Sequence, residues 1–293
     1  MTDEQELIAA ENQRLLKEVR QLRARVAALE SSRWWRLHPR FALRRLFPAR
    51  ARSEVATEPP RAEPRASAAD DLVAHFRTEV MAHGSFSHDW FTEHIAGWVP
   101  LLQTLEGRPS NILELGSFEG LSACFVLWRL PEAHLTCVDT FGGSPEHAAM
   151  EVDHSQLEEV FDRNIALVDG RRVRKIVGES VDALLELGRS GERFDLVYVD
   201  ASHLALDVIV DAALAWPLLV PGGVLVFDDY EWRSPLGEDP LLLPGPAVDA
   251  FLALVGRHCE VLAKGAQAIV RKTASAAEPV ADRARETANA SGA

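Results

Sequence analysis

Cysteine is scarce in this chain: Cys124, Cys137 and Cys259 are three in 293 residues, each alone in apolar surroundings and never in C-x-x-C spacing. That excludes a disulfide framework or a cysteine-built zinc site as the organising element. Long apolar runs are missing too, since none reaches the roughly 18–20 residues of a membrane span. The opening Met-Thr-Asp-Glu-Gln-Glu is acidic where a secretory leader is basic and then apolar. A cytoplasmic location is expected. Positive charge is also short where a nucleic acid would need it. Residues 1–69 hold 14 Lys/Arg against 9 Asp/Glu, leaving 17 against 35 for the remainder. So acidic a globular part would repel a phosphate backbone, so the expected partners are small molecules or glycans and not nucleic acid.

What is present divides the chain into four. Residues 1–32 read as a coiled coil, with Asn12, Val19 and Val26 at a positions and Ile8, Leu15, Leu22 and Leu29 at d positions. Valine at a with leucine at d favours a parallel two-stranded form, and a lone Asn at a fixes its register, so a homodimer is expected. A single amphipathic helix packing on its own domain is the other reading. Residues 33–69 begin with the basic, aromatic end of the stretch 31–48, which has Trp34, Trp35, Phe41 and Phe47 and no acid, and continue as a Pro/Ala/charge linker. The stretch 31–48 suits peripheral contact with the inner face of an anionic membrane, docking to a partner, or a solvated basic end to the coiled coil. Residues 70–273 form the globular domain, and 274–293 are a tail of linker composition.

Within 70–273 helical and strand patterns alternate. Helices are expected over 70–82, 88–105, 120–130, 155–167, 180–188, 203–216 and 246–256. Strands are expected over 111–115, 134–139, 172–177, 194–199 and 222–227. Runs such as Phe-Asp-Leu-Val-Tyr-Val are nearly continuous in apolar residues, as in strands covered on both faces. Two further strands, 260–263 and 266–270, are joined only by Lys264 and Gly265, which forces an antiparallel pair at the end of a parallel, doubly wound α/β sheet.

In such a sheet ligands bind beyond the C-terminal ends of the strands, and polar residues collect there. The first strand runs into Glu114-Leu-Gly-Ser-Phe-Glu-Gly120, where Gly116 and Gly120 permit a tight turn and the following helix N-terminus offers N–H groups to a ligand. Glycine at a strand-to-helix turn also has a purely geometric explanation. Asp139 ends the second strand at the spacing of a ribose-binding acid, or serves as a turn former. Glu179 and Ser180 follow the third strand and could reach a purine edge or cap the next helix. Asp200 ends the fourth strand, with His203 three residues on, and Asp228-Asp229 end the fifth. Three converging carboxylates would repel one another unless a hard divalent cation lay between them, and an oxygen-only set favours Mg²⁺, Mn²⁺ or Ca²⁺. Solvated caps and a structural histidine are the plainer readings.

These residues taken together resemble the class I S-adenosylmethionine (SAM)-dependent methyltransferases, in particular the metal-dependent, catechol-type O-methyltransferases. The region from Trp90 to Lys272 is similar to the bacterial branch of macrolide-sugar O-methyltransferases and cephalosporin hydroxylase-like proteins. The resemblance implies strand order 3-2-1-4-5-7-6 with SAM as cofactor. It places Glu114 near the methionine amino group, with Gly116, Ser117, Phe118 and Gly120 in the cofactor loop. Asp139 then falls at the ribose, and Glu179 and Ser180 at the adenine. It further implies Asp200, Asp228 and Asp229 as ligands of a divalent cation such as Mg²⁺, and His203, with Asp200, as the catalytic pair. Phe118 replaces the middle glycine of the commoner loop, and His203 stands where the catechol enzymes have lysine. The expected reaction is methyl transfer to a hydroxyl of a sugar, glycan or small metabolite. An oxidative hydroxylase on the same scaffold and a non-catalytic scaffold in surface-polysaccharide assembly are the alternatives.

Overall fold

The computed structural model describes residues 68–143, 154–234, 237 and 239–273. The expected coiled coil, the basic aromatic stretch and the C-terminal tail lie outside the described residues. Helix α1 (Ala68–Glu79) and helix α2 (Ile95–Gln103) precede a repeating strand–helix unit. This runs β1 (Ser110–Leu115), α3 (Leu121–Arg129), β2 (Ala133–Asp139), α4 (Leu157–Ala166), β3 (Val173–Val177), α5 (Ser180–Arg189), β4 (Phe194–Val199), α6 (Ala205–Ala215) and β5 (Leu219–Phe227). Helix α7 (Pro244–Val255) and strands β6 (Cys259–Lys264) and β7 (Ala268–Lys272) complete the domain. The seven strands lie in the order 3-2-1-4-5-7-6, with β7 antiparallel to both neighbours, as the sequence reading expects.

Side chains of a strand alternate between faces, and two cores result. Ile112, Leu196, Tyr198 and Val226 pack with Phe76, Trp98, Phe125 and Phe161 of α1–α4. Leu113, Val197, Leu225 and Phe227 pack with Leu184, Val208 and Phe251 of α5–α7. At the end of the sheet opposite the strand C-termini, Arg172 donates to the main-chain oxygens of Leu127, Leu130 and Ala133 at 2.8–3.2 Å and of Val168 at 3.5 Å. It thereby satisfies carbonyls that the ends of α3 and α4 leave unpaired.

Three expected boundaries move. The helix expected from residue 88 begins at Ile95, because the Asp89 carboxylate takes the Thr92 N–H at 3.0 Å and its hydroxyl at 2.6 Å, holding 89–94 as a capped turn. Strand β5 starts at Leu219 rather than 222. Phe194 pairs with Leu219 but Leu196 with Val224, so Pro221-Gly222-Gly223 bulges out, with Gly222 at φ +83°. The hairpin turn is Gly265-Ala266-Gln267, not Lys264-Gly265, because β6 runs on to Lys264, which pairs with Ala268.

Candidate functional site

The loop after β1 is built by three left-handed positions, Gly116 at φ +82°, Phe118 at +46° and Gly120 at +80°. Gly116 owes its identity to packing. A Cβ there would stand 2.0 Å from the Asp200 carbonyl oxygen and 2.6 Å from the Ala201 Cα, where the ends of β1 and β4 meet. Phe118 is not glycine, and its strained backbone is held from outside: Asp139 Oδ2 accepts the N–H groups of Ser117 at 2.7 Å and Phe118 at 2.8 Å. Asp139 Oδ1 accepts the Phe141 N–H at 2.6 Å. Asp139 is thus the clasp of the loop, tying the end of β2 to it. Glu114 is 2% exposed, and its carboxylate accepts the hydroxyls of Ser117 and Ser122. Burial pushes its carboxyl up, against the pull of those two hydroxyls.

The wall over this loop comes from residues 84–91. Ser87 N–H donates to Glu119 Oε2 at 2.6 Å, while the Asn164 amide of α4 bridges Ser85 and the Glu119 carbonyl. Trp90 stacks on His88 with centroids 4.5 Å apart and lies 5.1 Å from the Phe118 ring. Sequence reasoning passed over Glu119 and Asn164, although an asparagine among the apolar positions of an amphipathic helix was a visible signal.

After β3, Ser180 turns away from the loop: its hydroxyl donates to Asp211 Oδ1 of α6 at 2.7 Å, while Glu179 is exposed. Burial raises the Asp211 carboxyl to about 6.

At the ends of β4 and β5 the acidic residues lie close together. Asp200, His203 and Asp229 each offer a donor atom, all within 4.8 Å of one another. His203 Nε2 lies 2.7 Å from Asp229 Oδ2, and its ring stacks on Trp232 at 4.3 Å. Of the expected trio, Asp200 and Asp229 stand in this group with His203, while Asp228, whose charge also reaches Asp200, is held by other partners. Asp228 follows Val226 onto the α1–α4 face. There its Oδ2 accepts the Tyr198 hydroxyl at 2.6 Å and its Oδ1 the Gln267 amide at 2.9 Å. Asp229, at φ +55°, swings the other way to His203. Burial and then the charges of Asp228 and Asp229 push the Asp200 carboxyl well above the ordinary range. Burial and Asp229 likewise raise Asp228. Buried like charges of this kind are relieved by a divalent cation, which these carboxylates could hold. A shallow cavity of about 580 Å³ beside Trp128 and Arg172 lies at the other end of the sheet and belongs to a different surface.

A seven-stranded sheet in this order, with a glycine loop after β1 and an acid at the end of β2, defines the class I methyltransferase fold. Residues 113–230 match the family model described as a methyltransferase domain. O-methyltransferase hkm8 of Aspergillus hancockii is 32% identical over 127 residues, which are 43% of this chain; the chain spans 44% of that relative's length. Among solved structures, MycE methyltransferase of the mycinamycin pathway, in complex with Mg, SAH and mycinamycin VI, is similar at TM-score 0.49 and 17% identity, over 73% of this chain and 56% of MycE. The O-methyltransferase TomG of Streptomyces achromogenes, in complex with SAM, is similar at TM-score 0.47 and 21% identity, over 71% of this chain and 91% of TomG.

Proposed function

We propose that this domain transfers the methyl group of SAM to a hydroxyl oxygen with the help of a divalent cation, and that the acceptor is a sugar, glycan or small metabolite. The observation that carries the reading is the adjacency of two features. The loop Glu114–Gly120, clasped by Asp139, opens onto the N-terminus of α3, whose cap Gly120 has no side chain to take up the first-turn N–H groups. One strand away stands the group of Asp200, His203 and Asp229. When bound, SAM supplies a sulfonium-activated methyl group and the cation lowers the pKa of the acceptor hydroxyl.

The residues of the chain do the rest. Asp200 and Asp229 would hold the ion through carboxylate oxygens, and so would fix the acceptor oxygen. His203, aligned by Asp229, takes the proton that this oxygen loses as the new C–O bond forms and the C–S electron pair stays with sulfur. Trp232 and Trp90 offer flat apolar walls suited to a sugar or aromatic ring. The name of the Aspergillus relative supports oxygen as the methylated atom.

The test is purified full-length chain with SAM and a panel of hydroxylated acceptors, followed by mass spectrometry of the product. A mass gain of one methyl, lost in Asp200→Asn while SAM still binds by calorimetry, is the expected result. An oxygenated product formed with iron and O₂, or full activity in Asp200→Asn, refutes the assignment.

A further inference from the structure

Gln267 belongs to no motif, yet it is among the most constrained polar side chains near the site. It lies in the turn between β6 and β7, is 7% exposed, and is held at both ends of its amide. Trp98 Nε1 of α2 donates to Oε1 at 2.9 Å, and Gln267 Nε2 donates to Asp228 Oδ1 at 2.9 Å. An indole N–H can only donate, so it admits one orientation of the amide: oxygen toward Trp98, NH₂ toward Asp228. The other oxygen of Asp228 is taken by the Tyr198 hydroxyl at 2.6 Å. The carboxylate is therefore clamped from two strands, β4 and the β7 turn, directly beside Asp229 in the chain.

Asp228 also matters to its neighbours. Its charge, with that of Asp229, bears on the Asp200 carboxyl. Its Oδ1 lies 3.8 Å from His94 Nε2, on the wall contributed by the N-terminal helices. If the amide were lost, the carboxylate could rotate about its terminal torsion, which has broad, nearly equivalent minima, and would alter the field at the mouth.

We propose that Gln267 is a positioning residue for this mouth: its amide, oriented by Trp98, holds Asp228 where Asp200 and Asp229 can take a divalent cation. The inference deepens the reading given above and rests on it only in treating the mouth as a cation site. Partners one step removed from a metal ligand typically alter affinity by about 10–100-fold.

The experiment uses the full chain with Mn²⁺ as the probe, its free concentration followed by electron paramagnetic resonance, and with SAM binding measured separately by calorimetry. Gln267→Met is expected to weaken Mn²⁺ binding about tenfold or more, with SAM affinity kept within about twofold. Trp98→Phe frees the amide to turn over and is expected to weaken Mn²⁺ binding by a smaller factor. The double variant is expected to match Gln267→Met, because two changes in one chain of contacts do not add. Thermal melts report whether each variant is folded. A folded Gln267→Met with Mn²⁺ affinity within about threefold of wild type overturns the proposal, as does full additivity in the double variant. Should Gln267→Met fail to fold, unchanged Mn²⁺ affinity in Trp98→Phe overturns it instead. Wild-type protein that binds SAM but no Mn²⁺ overturns this inference and the cation's part in the functional reading while leaving methyl transfer standing; protein that binds neither overturns the whole functional reading with it.

Discussion

Replacing Gly116 by alanine should be the most damaging small substitution in the cofactor loop, and its size follows from geometry. The new Cβ would overlap the Asp200 carbonyl oxygen at 2.0 Å and the carbonyl carbon at 2.5 Å, both main-chain atoms. No rotamer change relieves a backbone clash, so the ends of β1 and β4 must part by about an ångström. They are joined there by the Asp200 N–H bond to the Leu115 carbonyl at 2.8 Å. A left-handed alanine costs about 1–2 kcal/mol and overpacking about 1–3 kcal/mol more, together about 2–5 kcal/mol. For a domain of this size that lowers Tm by roughly 4–20 °C. Gly120→Ala is the internal comparison: its φ is +80°, but its Cβ would meet side-chain atoms, the Phe161 ring at 3.0 Å and Ile165 Cδ1 at 3.4 Å, which can yield. About 1–2 kcal/mol is expected. Gly97→Ala, exposed within α2 with nothing inside 4 Å, should stabilise by about 0.5–1 kcal/mol. Melts followed by circular dichroism give the ranking. A Gly116→Ala protein melting within about 2 °C of wild type would refute the packing argument.

Asp211, raised to about 6 from an unfolded value of 3.8, holds its proton more tightly when folded, so it costs stability as pH rises from about 4 through about 6 and adds no further cost above that. The advantage of Asp211→Asn over wild type in urea melts should therefore grow by about 2–3 kcal/mol between pH 4 and pH 7.5; an advantage independent of pH would contradict it. Trp232→Ala removes the ring stacked on His203 and should lower kcat/KM for the acceptor about 2–10-fold with SAM affinity unchanged, read from steady-state kinetics. Stripping divalent ions with a chelator should abolish turnover and leave SAM bound, as calorimetry on the stripped protein would report; turnover that persists would remove the cation from the mechanism.

The architecture was largely legible in the sequence because strands buried on both faces declare themselves as apolar runs, and a link too short for a crossover left β6 and β7 no parallel option. The polar residues at the strand ends were legible for the same reason, since the end of each strand was visible. Their directions were not. Asp228 and Asp229 look equivalent as neighbours in the chain, yet the alternation of β5 sends Asp228 to Tyr198 and Gln267 and a left-handed turn sends Asp229 to His203. Ser180 read as a purine contact or a helix cap, and neither reading foresaw that its hydroxyl meets Asp211, a residue on a helix about 30 positions away that no local pattern connects to it. Gln267 was hidden because a glutamine in a hairpin reads as surface, and only the tertiary meeting of α2, β5 and β7 buries it.

Arg172 grips its surroundings through carbonyl oxygens alone, beyond its link to Asp169. Every amino acid carries that oxygen, so neighbours on the floor of the domain can be exchanged without unfastening it, whereas Arg172 itself has no substitute; a lysine ammonium is a compact point charge without the planar fork. The floor is accordingly tolerant of recoding, and an engineer wishing to alter charge, solubility or attachment should work there, leaving the opposite rim untouched.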